Sequence, residues 1–206
     1  MTKNIIKSLA LPKTGDIRYA LYREGVYSHF HTSGHVLPQQ GREYVELRNV
    51  TFQCDKDYII DVPEYENLED LSWYAKNYEP LVVWQLENVI QKLVDDPDTR
   101  QAVIQFYDPD KDEKARSNMI CTMYVSLRLD KVSAECDSQV MTYTVHMRSS
   151  DVRELRSDLR WHKRVMLEIS KELSHRLNKD VWCNPIIWYA DSQQCWDKDW
   201  EFLKDK

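Results

Sequence analysis

The sequence predicts an α+β fold, a mixed β-sheet with helices packed against it. Several runs are rich in β-branched and aromatic residues with two-residue alternation, and other stretches repeat apolar residues at helical spacing. Their order is strand, helices, three strands, helix and a mixed tail, without the regular alternation of a parallel α/β chain.

At 206 residues the chain is expected to form one domain over 1–206, with 1–40 hard to read. Hydrophobic residues make up 42%, and 4 Phe, 7 Trp and 12 Tyr supply volume for a core. Only 4 Gly and 7 Pro exclude a fibrous or disordered chain. The net charge of −6 disfavours broad adhesion to DNA or anionic membrane, yet leaves room for a small basic pocket holding one phosphate. No apolar run approaches the roughly 20 residues of a membrane span. The N-terminal MTKNIIKSLALPKTGD lacks a small-residue cleavage site. Cys54, Cys121, Cys136, Cys183 and Cys195 are odd in number and widely spaced, without CxxC, which fits free thiols in a reducing cytoplasm.

Along the chain, REYVELRNVTFQC (42–54) reads as a strand, with Val45, Leu47, Val50 and Phe52 apolar. Residues 66–96 carry helical spacing at Leu68, Leu71 and Tyr74, resumed after Pro80 at Leu86, Val89, Ile90 and Leu93. Two helices split near the proline are expected. TRQAVIQFYD (99–108), ICTMYVSLRL (120–129) and VMTYTVHMRSSD (140–151) are three strand-like runs. SDLRWHKRVMLEISKEL (157–173) reads as a helix that Ser157 or Asp158 can cap, with Leu159, His162, Met166, Ile169 and Leu173 on one face. The last 25 residues are aromatic-rich and mixed, and their Trp and Tyr fit core better than a base-stacking platform.

Candidate chemistry starts at Cys121. A solitary strand cysteine is ordinarily a small buried hydrophobe, and only cationic or acid–base neighbours make it a nucleophile. HMRSSDV (146–152) offers such neighbours: the Arg148 fork suits phosphate, Ser149 adds a hydroxyl donor and Asp151 a carboxylate. The same residues also fit a salt-bridged strand end, and Arg100 in DPDTRQAV carries the same ambiguity. HFHTSGH brings His29, His31 and His35 close in sequence, but nothing nearby completes a zinc-ligand spacing, so surface or packing roles fit better than a metal site. The basic residues of VRELRSDLRWHKR alternate with acids, as on a solvated helix face.

Read in order, VELRNVTF, DLSWY, DDPDTRQAVIQFYDP, NMICTMYVSLRL, VHMRSSDV and ADSQQCWDKDWEFL resemble the thymidylate synthase and deoxycytidylate hydroxymethylase family, in particular its shorter phage-type members. The resemblance covers roughly residues 40–203. It implies a thymidylate synthase-like fold and transfer of a one-carbon unit from 5,10-methylenetetrahydrofolate to C5 of a pyrimidine nucleoside monophosphate. A thiolate is both a strong nucleophile and a competent leaving group, so an adduct at C6 can form and collapse. On this resemblance Cys121 is the nucleophile, and Arg148 and Ser149 bind phosphate. Arg100 reaches the phosphate in the partner subunit of a homodimer. Asp151 faces the pterin and the catalytic water, and Asp70 takes the place of the family's catalytic glutamate.

Asp158 stands near the family's base-reading asparagine. Cytosine offers an acceptor at N3 and a donor at its amine, and a carboxylic acid can match both, so Asp158 tilts the expected substrate to dCMP, although a helix cap explains it too. The departures also count. The family's sugar-binding histidine and tyrosine are Gln194 and Trp196 here, the second arginine after Arg100 is Gln101, and Arg42 is the nearest replacement for an N-terminal phosphate arginine. A folate-side Tyr-Gly loop between Trp73 and Asp98 and a long C-terminal lid are missing. Hydroxymethylation is therefore expected ahead of methylation, because water would reach the reactive carbon. A non-catalytic nucleotide-binding member that has lost folate chemistry is the alternative, and a metal protein built on the histidines is a third reading.

Overall fold

A computed structural model describes residues 26–30, 42–54, 76–112, 120–133, 137–152 and 154–196. The elements in chain order are β1 (Val26–Phe30), β2 (Arg42–Gln53), α1 (Glu79–Asp95), β3 (Val103–Gln105) and the single turn α2 (Pro109–Asp112). They continue with β4 (Thr122–Lys131), β5 (Gln139–Asp151), α3 (Leu155–Leu177), β6 (Val181–Cys183) and β7 (Ile187–Trp196).

The strands form one mixed seven-stranded sheet in the order β1-β2-β7-β5-β4-β3, with β6 also paired to β5. β5 is the hub: antiparallel to β4, and parallel to β6 over Gln139–Met141 and to β7 over Thr144–Asp151. Parallel neighbours need a crossover, and α3 supplies it between β5 and β6. Alternate residues of β5 (Met141, Tyr143, Val145 and Met147) point into a core shared with both long helices. In α1, Val82, Val89, Ile90 and Leu93 are buried, and in α3 the expected face of Leu159, His162, Met166, Ile169 and Leu173 is buried.

Several boundaries differ from the sequence expectation. Near Pro80 the chain does break: residues 76–77 are helical, Tyr78 is a turn and α1 starts at Glu79, so Pro80 lies within its first turn, where its fixed φ and missing N–H are tolerated. The preceding helical stretch, 66–75, lies outside the described residues. The run 99–108 shortens to Val103–Gln105, because the Phe106 and Tyr107 N–H groups both turn onto the Met123 carbonyl (3.0 and 3.2 Å). Strand β4 begins one residue after Cys121. Helix α3 starts earlier and ends later than expected: its N-cap is Glu154, without a side-chain cap bond, and its C-cap is Asn178 in the left-handed conformation. Ser157 and Asp158 are therefore inside the first turn and do not cap it; burial of Leu155 draws the helix start back. The tail 181–196 forms two strands, with Trp188 in the core and Trp182 exposed.

His162 sits at the centre of this core, fully buried, with Nδ1 3.0 Å from the Tyr143 hydroxyl and the Trp161, Phe106 and Trp188 rings around it. Burial lowers its pKa from 6.5 to about 3. The folded chain therefore keeps His162 neutral at pH values where an unfolded histidine takes up a proton. This contribution to stability is full above about pH 6.5 and is lost as the pH falls toward 3. Unfolding free energies from urea titrations between about pH 7 and about pH 4 should fall more steeply for wild type than for His162→Gln, by up to about 1.4 kcal/mol per pH unit. Equal slopes would contradict the neutral buried imidazole.

Candidate active site

A break in the pleat builds the site. Inward-facing residues of a regular strand are two apart, yet one three-residue step occurs in each of four adjacent strands. The steps are Leu47 to Val50 in β2, Ala190 to Gln193 in β7, Met147 to Ser150 in β5 and Thr122 to Val125 in β4. The breaks line up across the sheet. Thr122 pairs with Met147, Met147 with Ala190 and Ala190 with Val50; beyond the break, Ser150 pairs with Gln193 and Gln193 with Leu47. In β4 the register shifts between Thr122 and Tyr124, and in β2 Asn49 takes φ 53°, a left-handed value that asparagine tolerates.

Cys121 lies at the edge of this line. Its carbonyl accepts the Arg148 backbone N–H at 2.8 Å. Its sulfur accepts the Ser149 hydroxyl at 3.4 Å, and Arg148 Nη2 stands 4.0 Å away. The sulfur is partly accessible, Ser149 half-buried and Arg148 exposed, so the guanidinium is open to an anion arriving from solvent. Cys54, Cys183 and Cys195 are also free thiols.

On the inner side, Thr122 Oγ1 donates to the Tyr78 hydroxyl at 3.2 Å and stands 3.2 Å from Met147 Sδ. The Tyr78 oxygen also accepts the Thr122 backbone N–H. Burial holds the Tyr78 hydroxyl far above the usual tyrosine range, and the nearby Asp158 and Cys121 charges push the same way, against the Thr122 bonds. Asp158, in the first turn of α3, is 8% exposed.

The remaining expected residues fall in three groups. Asp151, half-buried, ends β5 and pairs with Gln194 of β7, whose carbonyl accepts the Val152 N–H at 2.9 Å. Trp196 ends β7 opposite Tyr44, and Arg42 opens β2 opposite Phe30. Arg100 is exposed in the turn before β3. Its neighbour Thr99 receives Arg128 from β4, seven residues beyond Cys121, so Arg100 is about 20 Å along the strand from the sulfur. The structure does not bring it to Cys121 within one chain. Asp70, His31 and His35 lie outside the described residues, as does the side chain of His29. Among the described residues no cluster of three or more His, Cys, Asp or Glu is placed to hold a metal, and no helix is long and apolar enough to cross a membrane.

Sequence reasoning passed over Tyr78, Thr122, Ser150 and Gln193. Ser150 Oγ and Gln193 Oε1 are buried without a partner among the described residues, next to the positions of Ser149 and Gln194. The outer face of the sheet holds a separate open groove of about 550 Å³ where Tyr124 stacks on His146 (4.1 Å, 17°), with Tyr189 and Asp191 alongside. Burial lowers the His146 pKa there, with Asp191 pulling it back up.

No protein-family model and no curated protein matches the sequence. Among solved structures, thymidylate synthase from T4 phage is similar over 59% of this chain at 14% identity and TM-score 0.47, and the chain spans 40% of that enzyme's length. Thermostable thymidylate synthase A from Bacillus subtilis is similar over 93% of this chain and 83% of its own, at 10% identity and TM-score 0.56. The fold is thymidylate synthase-like.

Proposed function

We propose that the chain transfers a one-carbon unit to C5 of a pyrimidine nucleoside monophosphate, with dCMP the favoured substrate and hydroxymethyl the favoured unit. The observation that carries this reading is the convergence of Ser149 and Arg148 on the Cys121 sulfur, in a thymidylate synthase-like fold. Arg148 and Ser149 receive the phosphate at the exposed edge and so hold the ring over the sulfur. The Cys121 thiolate adds to C6, which places an electron pair at C5. C5 bonds to the one-carbon unit and loses its proton; the nitrogen that carried the unit would leave with the electrons of its bond to that carbon, and water then adds to the exocyclic carbon, losing a proton, as sulfur leaves C6 with the electrons of its bond. Asp158, buried in the first turn of α3, is the proposed reader of the base edge, where a carboxylic acid favours cytosine.

5,10-Methylenetetrahydrofolate would supply the carbon at the formaldehyde level. The described residues fit it at one point, the half-buried Asp151 carboxylate beside Ser149 and Gln194, which can hydrogen-bond an aminopterin ring. α1 fills most of the span between Trp73 and Asp98, leaving no long loop there to keep water from C5, which favours hydroxymethylation. Asp70 remains the proposed acid–base partner, and Gln194, Trp196 and Arg42 are the proposed sugar and phosphate contacts. The whole of 1–206 is proposed to work as one domain in the cytoplasm.

A homodimer is part of the same proposal. Arg100, about 20 Å from its own Cys121, would serve the partner's phosphate. The outer sheet face carries the Tyr124, His146 and Tyr189 rings around its groove and is the proposed meeting face for a second copy.

Tritium release from C5-labelled dCMP and dUMP tests the chemistry. Release should require Cys121, falling at least about 1,000-fold in Cys121→Ser, and should favour dCMP, with Asp158→Asn shifting preference toward dUMP. Release that persists in Cys121→Ser would sink the covalent route. No release with intact nucleotide binding would move the assignment to the non-catalytic reading, and a methyl product would refute hydroxymethylation. For the dimer, mixing inactive Arg100→Ala with inactive Cys121→Ser under subunit exchange should restore about a quarter of wild-type activity, since one hybrid site is intact. No recovery with exchange demonstrated would place Arg100 outside the site.

A further inference from the structure

Strand β3 ends the sheet on one side, and α1 packs against it. On the buried face of α1 the apolar pattern of Val82, Val89, Ile90 and Leu93 is interrupted by Gln85, 9% exposed. Its amide nitrogen and oxygen are both engaged. Nε2 donates to the Leu81 carbonyl of its own helix at 2.6 Å and to the Gln105 carbonyl of β3 at 2.7 Å, while Oε1 accepts the Gln105 N–H at 2.9 Å. A backbone N–H can only donate, which fixes the way the amide is turned. Accepting from the N–H and donating to the C=O of one residue is how an antiparallel strand pairs with its neighbour.

The ladder decides which groups of β3 face outward. Ala102 and Phe106 bond to Leu127 and Met123 on the β4 side, so Val103 and Gln105 turn their backbone groups to the open edge. Just before the strand, the Gln101 carbonyl accepts Lys92 Nζ from α1 at 3.4 Å. Gln85 and Lys92 stand two turns apart, roughly 10 Å along the helix axis. Gln101 and Gln105 are roughly 13 Å apart along the strand, so one helix face serves both.

We propose that Gln85 acts as a side-chain strand: its amide fills the backbone donor and acceptor through which β3 would recruit a further strand, and so blocks edge-to-edge pairing with a second copy of this chain. With Gln105 held by Gln85 and the Gln101 carbonyl by Lys92, Val103 is left between them, and the bonds of one residue are too few to hold an incoming strand. An apolar side chain would suit the buried face of α1 at least as well. It would also leave the Gln105 N–H and C=O unmet, a cost that an added strand relieves. This inference rests on neither the proposed chemistry nor the proposed homodimer.

The test combines NMR-detected amide exchange with sedimentation velocity on the full-length protein, comparing wild type with Gln85→Met, which keeps the side-chain length and loses the amide. The Phe106 amide, bonded to Met123, is the internal reference. In Gln85→Met the Gln105 amide should exchange about tenfold faster or more, with Phe106 unchanged. The variant should also form larger species than wild type at the same concentration, with the Val103 amide newly protected in them. Unchanged exchange at Gln105 would overturn the proposal. Faster exchange without added association would overturn it too, because the bonds would then only brace the helix. Association that leaves Val103 exchanging as in wild type would place the new contact elsewhere, with the same consequence. If Gln85→Met does not fold, Gln85→Asn, which draws the amide back by one methylene, carries the same expectations. In wild type, a Gln105 amide exchanging as fast as that of Val103 overturns the proposal by itself. A wild type that is monomeric would defeat the proposed homodimer and leave this comparison standing.

Discussion

Side-chain alternation is the constraint on which the site depends. In a regular strand two consecutive side chains face opposite sides of the sheet, so they cannot converge on one atom. Arg148 and Ser149 are consecutive, and both reach the Cys121 sulfur. They do so because the pleat of β5 breaks between Met147 and Ser150. A break in one strand alone would cost the ladder its register. Here β2 and β7 break at matching positions, so the pairing of β5 with β7 and of β7 with β2 continues unchanged on both sides. The pairing skips one position, at Asp191 opposite Asn49 and Arg148, and resumes in the same register, and the change of phase aims two side chains at a thiol.

The same break sorts the site by exposure. Arg148 is exposed, Ser149 and Cys121 are partly covered, Asp158 is 8% exposed and Tyr78 2%. Charge–charge interactions strengthen as water is excluded, so a guanidinium at the wet end acts as an entry point and polar groups at the dry end discriminate. Under the proposed function this gradient runs from phosphate to base. The inward row beyond the break carries Ser150 Oγ and Gln193 Oε1 without partners among the described residues, a cost of about 1–3 kcal/mol each if nothing meets them. Polar atoms retained at such a cost mark this end of the sheet as adapted to something other than packing.

The α+β class, the strands β3, β4 and β5 and the buried face of α3 were legible because burial imposes periodicity on the residues. The break in the pleat was not. Around it the chain reads Arg148-Ser149-Ser150 in β5 and Asp191-Ser192-Gln193-Gln194 in β7, and polar runs carry no sign of which side chain turns inward. Asp158 looked like a cap because acidic and hydroxyl residues favour that position, but packing of Leu155 started the helix at Glu154. Tyr78 gave no signal, since tyrosine is not a favoured N-cap and its partner Thr122 is 44 residues away. Cys121, Arg148 and Ser149 were singled out by residue chemistry and given roles by resemblance of motifs, and their convergence required coordinates.

The most direct measurement is denaturing mass spectrometry of the protein incubated with 5-fluoro-dCMP and methylenetetrahydrofolate. Fluorine cannot leave C5 as the proton does, so an enzyme that adds its thiol to C6 and builds on C5 is trapped. The account predicts a covalent adduct on the peptide containing Cys121, absent in Cys121→Ser. Wild-type protein that binds the nucleotide and remains unmodified would contradict it.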